Sequence, residues 1–352
     1  MSRDANPDAG RDATRDVHAA PARVVTFGEV LLRLSPHPHE RLFQSPGLRT
    51  YFGGAEANVA AGLAHLAPGV EVEHVTRLPD NPLGDAALAA LRAERVGVRF
   101  AARGEGRMGL YFVEGGADLR PLRVVYDRAA SAFSRIEPGD VDWAAALRGA
   151  AALHVTGITP ALGDGPARTL AAGVAAARAL GVPMSVDLNW RPALWQGRDP
   201  RPVLAPVAEG ASLLIGNPAA IDVMLGIPTA GALPEPPDAL AETARRVRER
   251  YGCREVAVTQ RETRSASEHA WQAHLLDAAG ALHSSPRYQV RVVDRVGGGD
   301  AFAAGLLAAR LAGRAPADQV RFAAAAGALK LTVPGDVNRV SAAEVERLLA
   351  TA

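Results

Sequence analysis

A single cysteine, Cys253, stands among the 352 residues. That excludes an internal disulfide and any metal centre built on several thiolates; its expected role is packing. Charge of one sign is also missing. Lys and Arg number 39 against 38 Asp and Glu, a net charge of +1, so there is no excess basic field to attract nucleic acid in general. No apolar run approaches the roughly 20 residues that a bilayer crossing needs. The first 22 residues lack an apolar centre and mix Asp with Arg, and they read as a disordered tail, not a secretory signal. The expectation is a cytoplasmic protein that engages neither membrane nor nucleic acid.

What is present is material for a large core: 48% of the residues are apolar. Short β-branched runs at 23–28, 70–76, 152–157, 183–189, 212–217, 255–260 and 288–294 alternate with alanine-rich stretches at 57–66, 83–95, 166–180, 238–251, 300–312, 316–330 and 341–351. Strand–helix alternation with short links predicts an α/β fold, a mostly parallel sheet covered on both faces. Ligands of such sheets bind beyond the carboxyl ends of the strands, where Asn189, Arg191, Asn217, Thr259 and Asp294 fall. One large domain over 23–350 is expected, with segments at about 31–52 and 99–130 forming a small β-rich lid. Residues 226–240 read as a Pro-rich loop.

Near the carboxyl end, "VDRVGGGDAF" (293–302) places three glycines before an alanine-rich helix. A Walker-type loop would need Lys-Ser/Thr where Asp300 and Ala301 stand. A dinucleotide fingerprint starting at Gly297 would need glycine where Phe302 stands. The remaining reading is a helix amino terminus, whose unpaired N–H groups hold an anion while Gly297, Gly298 and Gly299 admit phosphate oxygens to the backbone. Asp300 is then either a helix-start aspartate or a general base acting on a hydroxyl that attacks a γ-phosphate. A second motif, "FGGAEANVA" (52–60), sets Gly53 and Gly54 before a helix carrying Asn58. It is either a plain turn or a close approach to a small ligand.

With both motifs in this order, the chain resembles the ribokinase-like carbohydrate kinases, the PfkB family, over residues 23 to 350. Within that family it is most similar to the branch acting on 2-keto-3-deoxygluconate, through "VVYDRAASAFS", "VDLNWRPALW", "TQRETRSAS" and "ALKLTVPGDVN". The resemblance implies a three-layer α/β/α fold, ATP and Mg²⁺ as cosubstrate and cofactor, and transfer to the 6-hydroxyl of the sugar acid. Asp300 matches the family's base and Gly297–Gly299 its anion pocket. Arg128 and Arg191 match substrate positions; Gly54 and Asn58 are expected at the sugar hydroxyls, Tyr126 on the strand face of Arg128 and Tyr111 from the lid join them, and Asp294 and Asp336 are further substrate candidates. Asn189, Asn217, Thr259 and Arg261, with Gly297 and Gly299, are the nucleotide-binding candidates, and the adenine is expected against the small residues of "RFAAAAGALKL". A homo-oligomer through the lid is a further implication.

Two departures stand out. Relatives carry Asn-x-x-Glu where this chain has Asn217 and Ala220, so a carboxylate that helps organise Mg²⁺ is absent. They also carry Lys-x-Gly where Thr259-Gln260-Arg261 stands. Two rivals follow: a kinase of a neutral sugar, which does not require Arg128 and Arg191 to converge, and a sugar or nucleotide sensor without turnover.

Overall fold

The computed structural model describes residues 21–229 and 234–351; nearly all of the expected tail lies outside them. Among the described residues the strands are β1 (Arg23–Phe27), β2 (Leu31–Ser35), β3 (Arg49–Gly53), β4 (Glu71–Pro79), β5 (Ala101–Gly104), β6 (Gly109–Glu114) and β7 (Arg123–Asp127). They continue with β8 (Ala152–Thr156), β9 (Met184–Asp187), β10 (Leu213–Gly216), β11 (Glu255–Thr263), β12 (Glu268–Leu276), β13 (Leu282–Ser284) and β14 (Tyr288–Arg291). The helices are α1 (Ala55–Leu66), α2 (Pro82–Ala93), α3 (Trp143–Leu147), α4 (Asp164–Ala179), α5 (Pro192–Trp195) and α6 (Arg201–Ala208). The carboxyl-terminal half adds α7 (Pro218–Leu225), α8 (Pro237–Tyr251), α9 (Gly298–Leu311), α10 (Pro316–Lys330) and α11 (Ala342–Leu349).

The large sheet runs β13-β12-β11-β10-β9-β8-β1-β4-β5, with β14 also paired to β12. From β11 to β5 every pairing is parallel. Beyond β11 the pairings turn antiparallel. Alternate residues of one strand feed opposite cores, because side chains alternate across a strand. Val24 packs with α1, α9, α10 and α11, while Val25 and Phe27 pack with α3, α4, α7 and α8. Both faces of the strands are therefore dry, which explains their near-continuous apolar runs. Small residues bring α9 and α10 together: a Cβ on Gly305 would lie 2.9 Å from the Cα of Ala323. The outcome is the expected α/β/α architecture with a mostly parallel sheet.

A separate sheet, β3-β2-β6-β7, lies over the carboxyl ends of the parallel strands. Its pairings are antiparallel except β2 with β6. Its inner apolar face, built by Leu31, Tyr111 and Val113 with Leu122, Val124 and Tyr126, turns toward the cleft described below.

Three sequence expectations change. Residues 101–104 do not join the small sheet: they pair with β4 at the edge of the large one. The run 288–294 is not a parallel strand feeding α9. It stops at Arg291 and pairs antiparallel with β12, and residues 292–297 form an irregular link. The alanines of α10 offer no adenine shelf, since Ala323–Ala326 are fully buried against α9 and the sheet.

Candidate active site

β1 marks the point where the sheet's order reverses, β4 lying on one side and β8 on the other. Open α/β sheets leave a crevice at such a point. Here it is a cleft of about 630 Å³ between the strand ends and the small sheet. Gly54, Asn58, Tyr111, Tyr126, Arg128, Asn189, Arg191, Asn217, Thr259, Arg261 and Gly297–Asp300 all line it. Residues 240 positions apart are thus brought to one wall.

Asp300 is the third residue of α9 and is only 7% exposed. It caps no amide. Its Oδ2 accepts from Asn58 Nδ2 at 2.7 Å, so the helix-start reading does not explain it. Burial pushes its pKa up to about 6, while the Asn58 hydrogen bond and Arg191 pull the other way. The first intrahelical bond of α9 is from Ala301 N to Gly297 O, 2.8 Å. The N–H groups of Gly298, Gly299 and Asp300 therefore have no acceptor within the helix, the usual state of a first turn.

The three glycines differ in what they make room for. Gly297 has φ +83°, and a Cβ there would meet Asp336 O at 2.1 Å. On Gly298 it would meet Leu331 Cδ2 at 2.8 Å, and on Gly299 it meets nothing within 4 Å. The first two are fixed by the protein; the third opens on the cleft.

Asn58 acts differently from the sequence expectation. Its Oδ1 accepts from Gly54 N at 3.3 Å while its Nδ2 serves Asp300, so both ends orient the wall. Gly54 too is constrained by the protein: a Cβ would strike Glu29 O at 2.0 Å.

Arg128 is not a free cation. Its Nε donates to Glu29 Oε2 at 2.7 Å, and its Nη2 pairs with the same oxygen. Arg191, by contrast, bonds among the described residues only the neighbouring Trp190 carbonyl, 3.2 Å. Arg261 is drawn down to about 10 by partial desolvation in the cleft and then by Arg295 and Arg191, although the residue as a whole is exposed. Arg295 is lowered by burial and then by Arg191. The three arginines line the same cleft, and their like charges disfavour one another. Such repulsion is costly unless an anion joins them.

Asp294 and Asp336 do not line the cleft. Both hold Arg33 of β2, through Nη2–Oδ2 and Nη1–Oδ1 contacts of 2.8 Å each. They clamp the small sheet to the main body instead of facing a substrate, which corrects the sequence expectation. Tyr111 and Tyr126 are cross-strand partners with rings stacked at 6.2 Å. Asn217 caps α7 through Ala220 N at 2.9 Å, and Thr259 Oγ1 reaches Gly216 O at 3.4 Å. Asn189 sits in a left-handed turn (φ +40°) and donates its N–H to Asp187 Oδ1 at 2.9 Å.

Sequence reasoning missed Asp187, Glu56, Glu29 and Arg295. Asp187, at the end of β9, is pushed up to about 7 by burial and by the charge of Asp300. Glu56 is buried, accepts from Thr156 and Thr159 at 2.7 and 2.8 Å, and has its pKa raised by that burial. Asp187 and Arg295 lie inside stretches already singled out, two residues from Asn189 and from Gly297. Glu56 also lies inside such a stretch, "FGGAEANVA", whereas Glu29 carries no sequence signal.

Residues 21–343 match the pfkB family carbohydrate kinase pattern. The chain is 32% identical over 330 residues to a 2-dehydro-3-deoxygalactonokinase of Haloferax volcanii, covering 93% of this chain and 96% of that one. A 2-dehydro-3-deoxygluconokinase of Thermoproteus tenax is 29% identical over 333 residues, 93% and 94% of the two chains. The crystal structure of a 2-dehydro-3-deoxygluconokinase from Thermotoga maritima superposes with a TM-score of 0.90 at 43% identity, covering 94% and 99%. With the cleft, the glycine turn and the buried aspartate in place, the chain belongs to the pfkB family of carbohydrate kinases.

Proposed function

We propose that the protein phosphorylates 2-dehydro-3-deoxygluconate on its 6-hydroxyl at the expense of ATP, giving the 6-phosphate and ADP. The observation that carries this is Asp300: a buried carboxylate with its pKa pushed up to about 6, held by Asn58 beside three amides that have no acceptor within the helix, in a cleft lined by guanidinium groups.

Asp300, ionised above about pH 6, accepts the proton of the 6-hydroxyl as that oxygen bonds the γ-phosphorus. The bond from the γ-phosphorus to the β–γ bridging oxygen breaks, and ADP leaves with that oxygen. The amides of Gly298, Gly299 and Asp300 meet the oxygens of the transferring group, where fixed donors are most effective. Positioning and electrostatics carry most of such a transfer. Arg191 takes the sugar's carboxylate in its planar fork. Arg128, fixed by Glu29, offers its remaining Nη1, and Tyr111 and Tyr126 roof the sugar chain. Arg261, Asn217 and Thr259 face the nucleotide phosphates, with Arg295 beside them. The small sheet acts as a lid that keeps water from the phosphoryl group. Its edge strand β7 carries an exposed Val125, a surface for pairing with a second copy.

Mg²⁺ suits this site as an ion carried by the nucleotide. No cluster of three acidic, His or Cys side chains occurs among the described residues, and Ala220 supplies no carboxylate. Magnesium bound mainly by phosphates and water needs few protein ligands; Asp187 is the one best placed to hold its waters. When bound, the ion neutralises charge on the phosphates.

ADP release, measured with ATP, Mg²⁺ and a panel of acceptors, tests the proposal. Turnover is expected with 2-dehydro-3-deoxygluconate and, given the Haloferax relative, with its galacto epimer, and far less with fructose or ribose. Preference for a neutral sugar contradicts carboxylate recognition. No turnover on any acceptor supports a sensor.

A further inference from the structure

Lys330, the last residue of α10, is 0% exposed. A buried ammonium is costly unless hydrogen-bonded or paired. Its Nζ donates to two backbone carbonyls, Val333 O at 3.0 Å and Gly335 O at 2.6 Å. No carboxylate oxygen of the described residues forms an ion pair with it inside 4.0 Å. Burial lowers its pKa, while Asp294, Asp336 and Asp300 work against that fall.

Its position gives this cost a purpose. A Cβ on Gly297 would lie 3.1 Å from Lys330 Cε, so the lysine stem passes directly behind the turn that opens α9. The carbonyls it holds belong to the same loop as Asp336, whose own carbonyl packs against Gly297. That loop is tied again where Asp294 Oδ2 accepts from Gly335 N at 3.0 Å. Arg33 and Lys330 together balance Asp294 and Asp336, two positive charges against two negative. Without Lys330 the cluster carries a net negative charge behind amides that must receive an anion.

We propose that Lys330 is a positioning residue for phosphoryl transfer, a resident monovalent cation that holds the 331–336 loop against the glycine turn and keeps the ground behind it electrically neutral. This rests on the reading of Gly297–Asp300 as the receiver of the transferring group. A carbonyl-lined space of this kind suits ammonium or potassium, so the lysine makes an added ion unnecessary.

The test uses the full-length protein with sugar acid, ATP and Mg²⁺ in tetramethylammonium buffer, with or without NH₄⁺ or K⁺. The wild type is expected at full kcat without added ion. Lys330→Ala and Lys330→Met are expected to lose about 10²-fold in kcat, the order seen when one oxyanion donor is removed. Lys330→Ala should recover about tenfold along a saturating NH₄⁺ or K⁺ curve, while Lys330→Met, whose side chain fills the space, should not. Lys330 favours ionised Asp300, so the acid limb of kcat should move to higher pH in Lys330→Met. A merely structural role would leave that limb in place. The proposal is overturned by variants with wild-type kcat, by lost activity with neither ion response nor a moved limb, or by a wild type that needs K⁺. If neither variant folds, the wild type's ion dependence decides by itself. Failure of the sugar-kinase reading would look different: no turnover by the wild type on the acceptor panel.

Discussion

Replacing Gly299 by alanine separates an anion-binding turn from a packing turn. Gly299 is the second residue of α9 and has no positive φ, and its added Cβ would meet no protein atom within 4 Å. The protein alone therefore has no objection to the methyl group. Alanine at a compatible helical position gains about 0.4–1 kcal/mol by restricting the unfolded chain. For a domain of this size that raises Tm by roughly 1–2 °C. The methyl group, however, projects into the space where a phosphate oxygen approaches the amides. Loss of one such contact costs about 2.7–4 kcal/mol, or 10²–10³-fold in kcat. The assay is ADP release beside a thermal melt: activity should fall while Tm holds or rises. A Gly299→Ala enzyme with wild-type kcat would refute the anion site. Gly297→Ala cannot make this distinction, because it both strains a left-handed residue and strikes the Asp336 carbonyl.

Further expectations follow from the same wall. Arg191→Ala should raise KM for the sugar acid about 10- to 100-fold, the worth of a hydrogen bond to a charged group, and change the poor turnover of a neutral sugar little; equal losses would contradict carboxylate recognition. Asn58→Ala removes a hydrogen bond that lowers the Asp300 pKa, so the acid limb of kcat, near pH 6 in the wild type, should move upward; an unmoved limb would detach Asn58 from the base. Arg33→Met leaves two buried carboxylates unpaired and should destabilise by about 3–5 kcal/mol, read by urea unfolding; a loss under 1 kcal/mol would mean that the clamp holds nothing. Asp300 is raised in the fold from an unfolded value near 3.9 to about 6, so the folded state binds its proton more tightly. That stabilisation is present below pH 4 and lost as pH rises through 6. Asp300→Asn should then be more stable than the wild type at pH 8, by up to about 3 kcal/mol, and equal to it near pH 3.5; a less stable variant at pH 8 would contradict the burial cost.

The parallel half of the fold was legible because double-sided burial writes continuous apolar runs such as "SLLIG" and "EVAV". β12 was not. Its buried His269 and His274 and its Gln272 break the apolar pattern; tertiary partners satisfy two of them, Ser284 for His274 and the Ser285 carbonyl for Gln272. α6 was not among the expected helices: Pro202 and Pro206 interrupt a helical pattern, although its Leu204 and Val207 enter the core. In the site, Asp300 was legible because glycines flank it, and the alanine at 220 was legible as a missing carboxylate. The pairing of Arg128 with Glu29, and of Asp294 and Asp336 with Arg33, was not, since those contacts join elements about 100 and up to about 300 residues apart. Burial made scaffold of residues expected at the ligand, Asp294 and Asp336 on Arg33 and Asn58 on Asp300.

The most direct test of the base is kcat for Asp300→Asn with 2-dehydro-3-deoxygluconate, ATP and Mg²⁺ at pH 8. The variant keeps the acceptor for Asn58 but cannot take a proton. A folded protein slowed by about 10²–10⁴-fold is the predicted result, and turnover at the wild-type rate would contradict it.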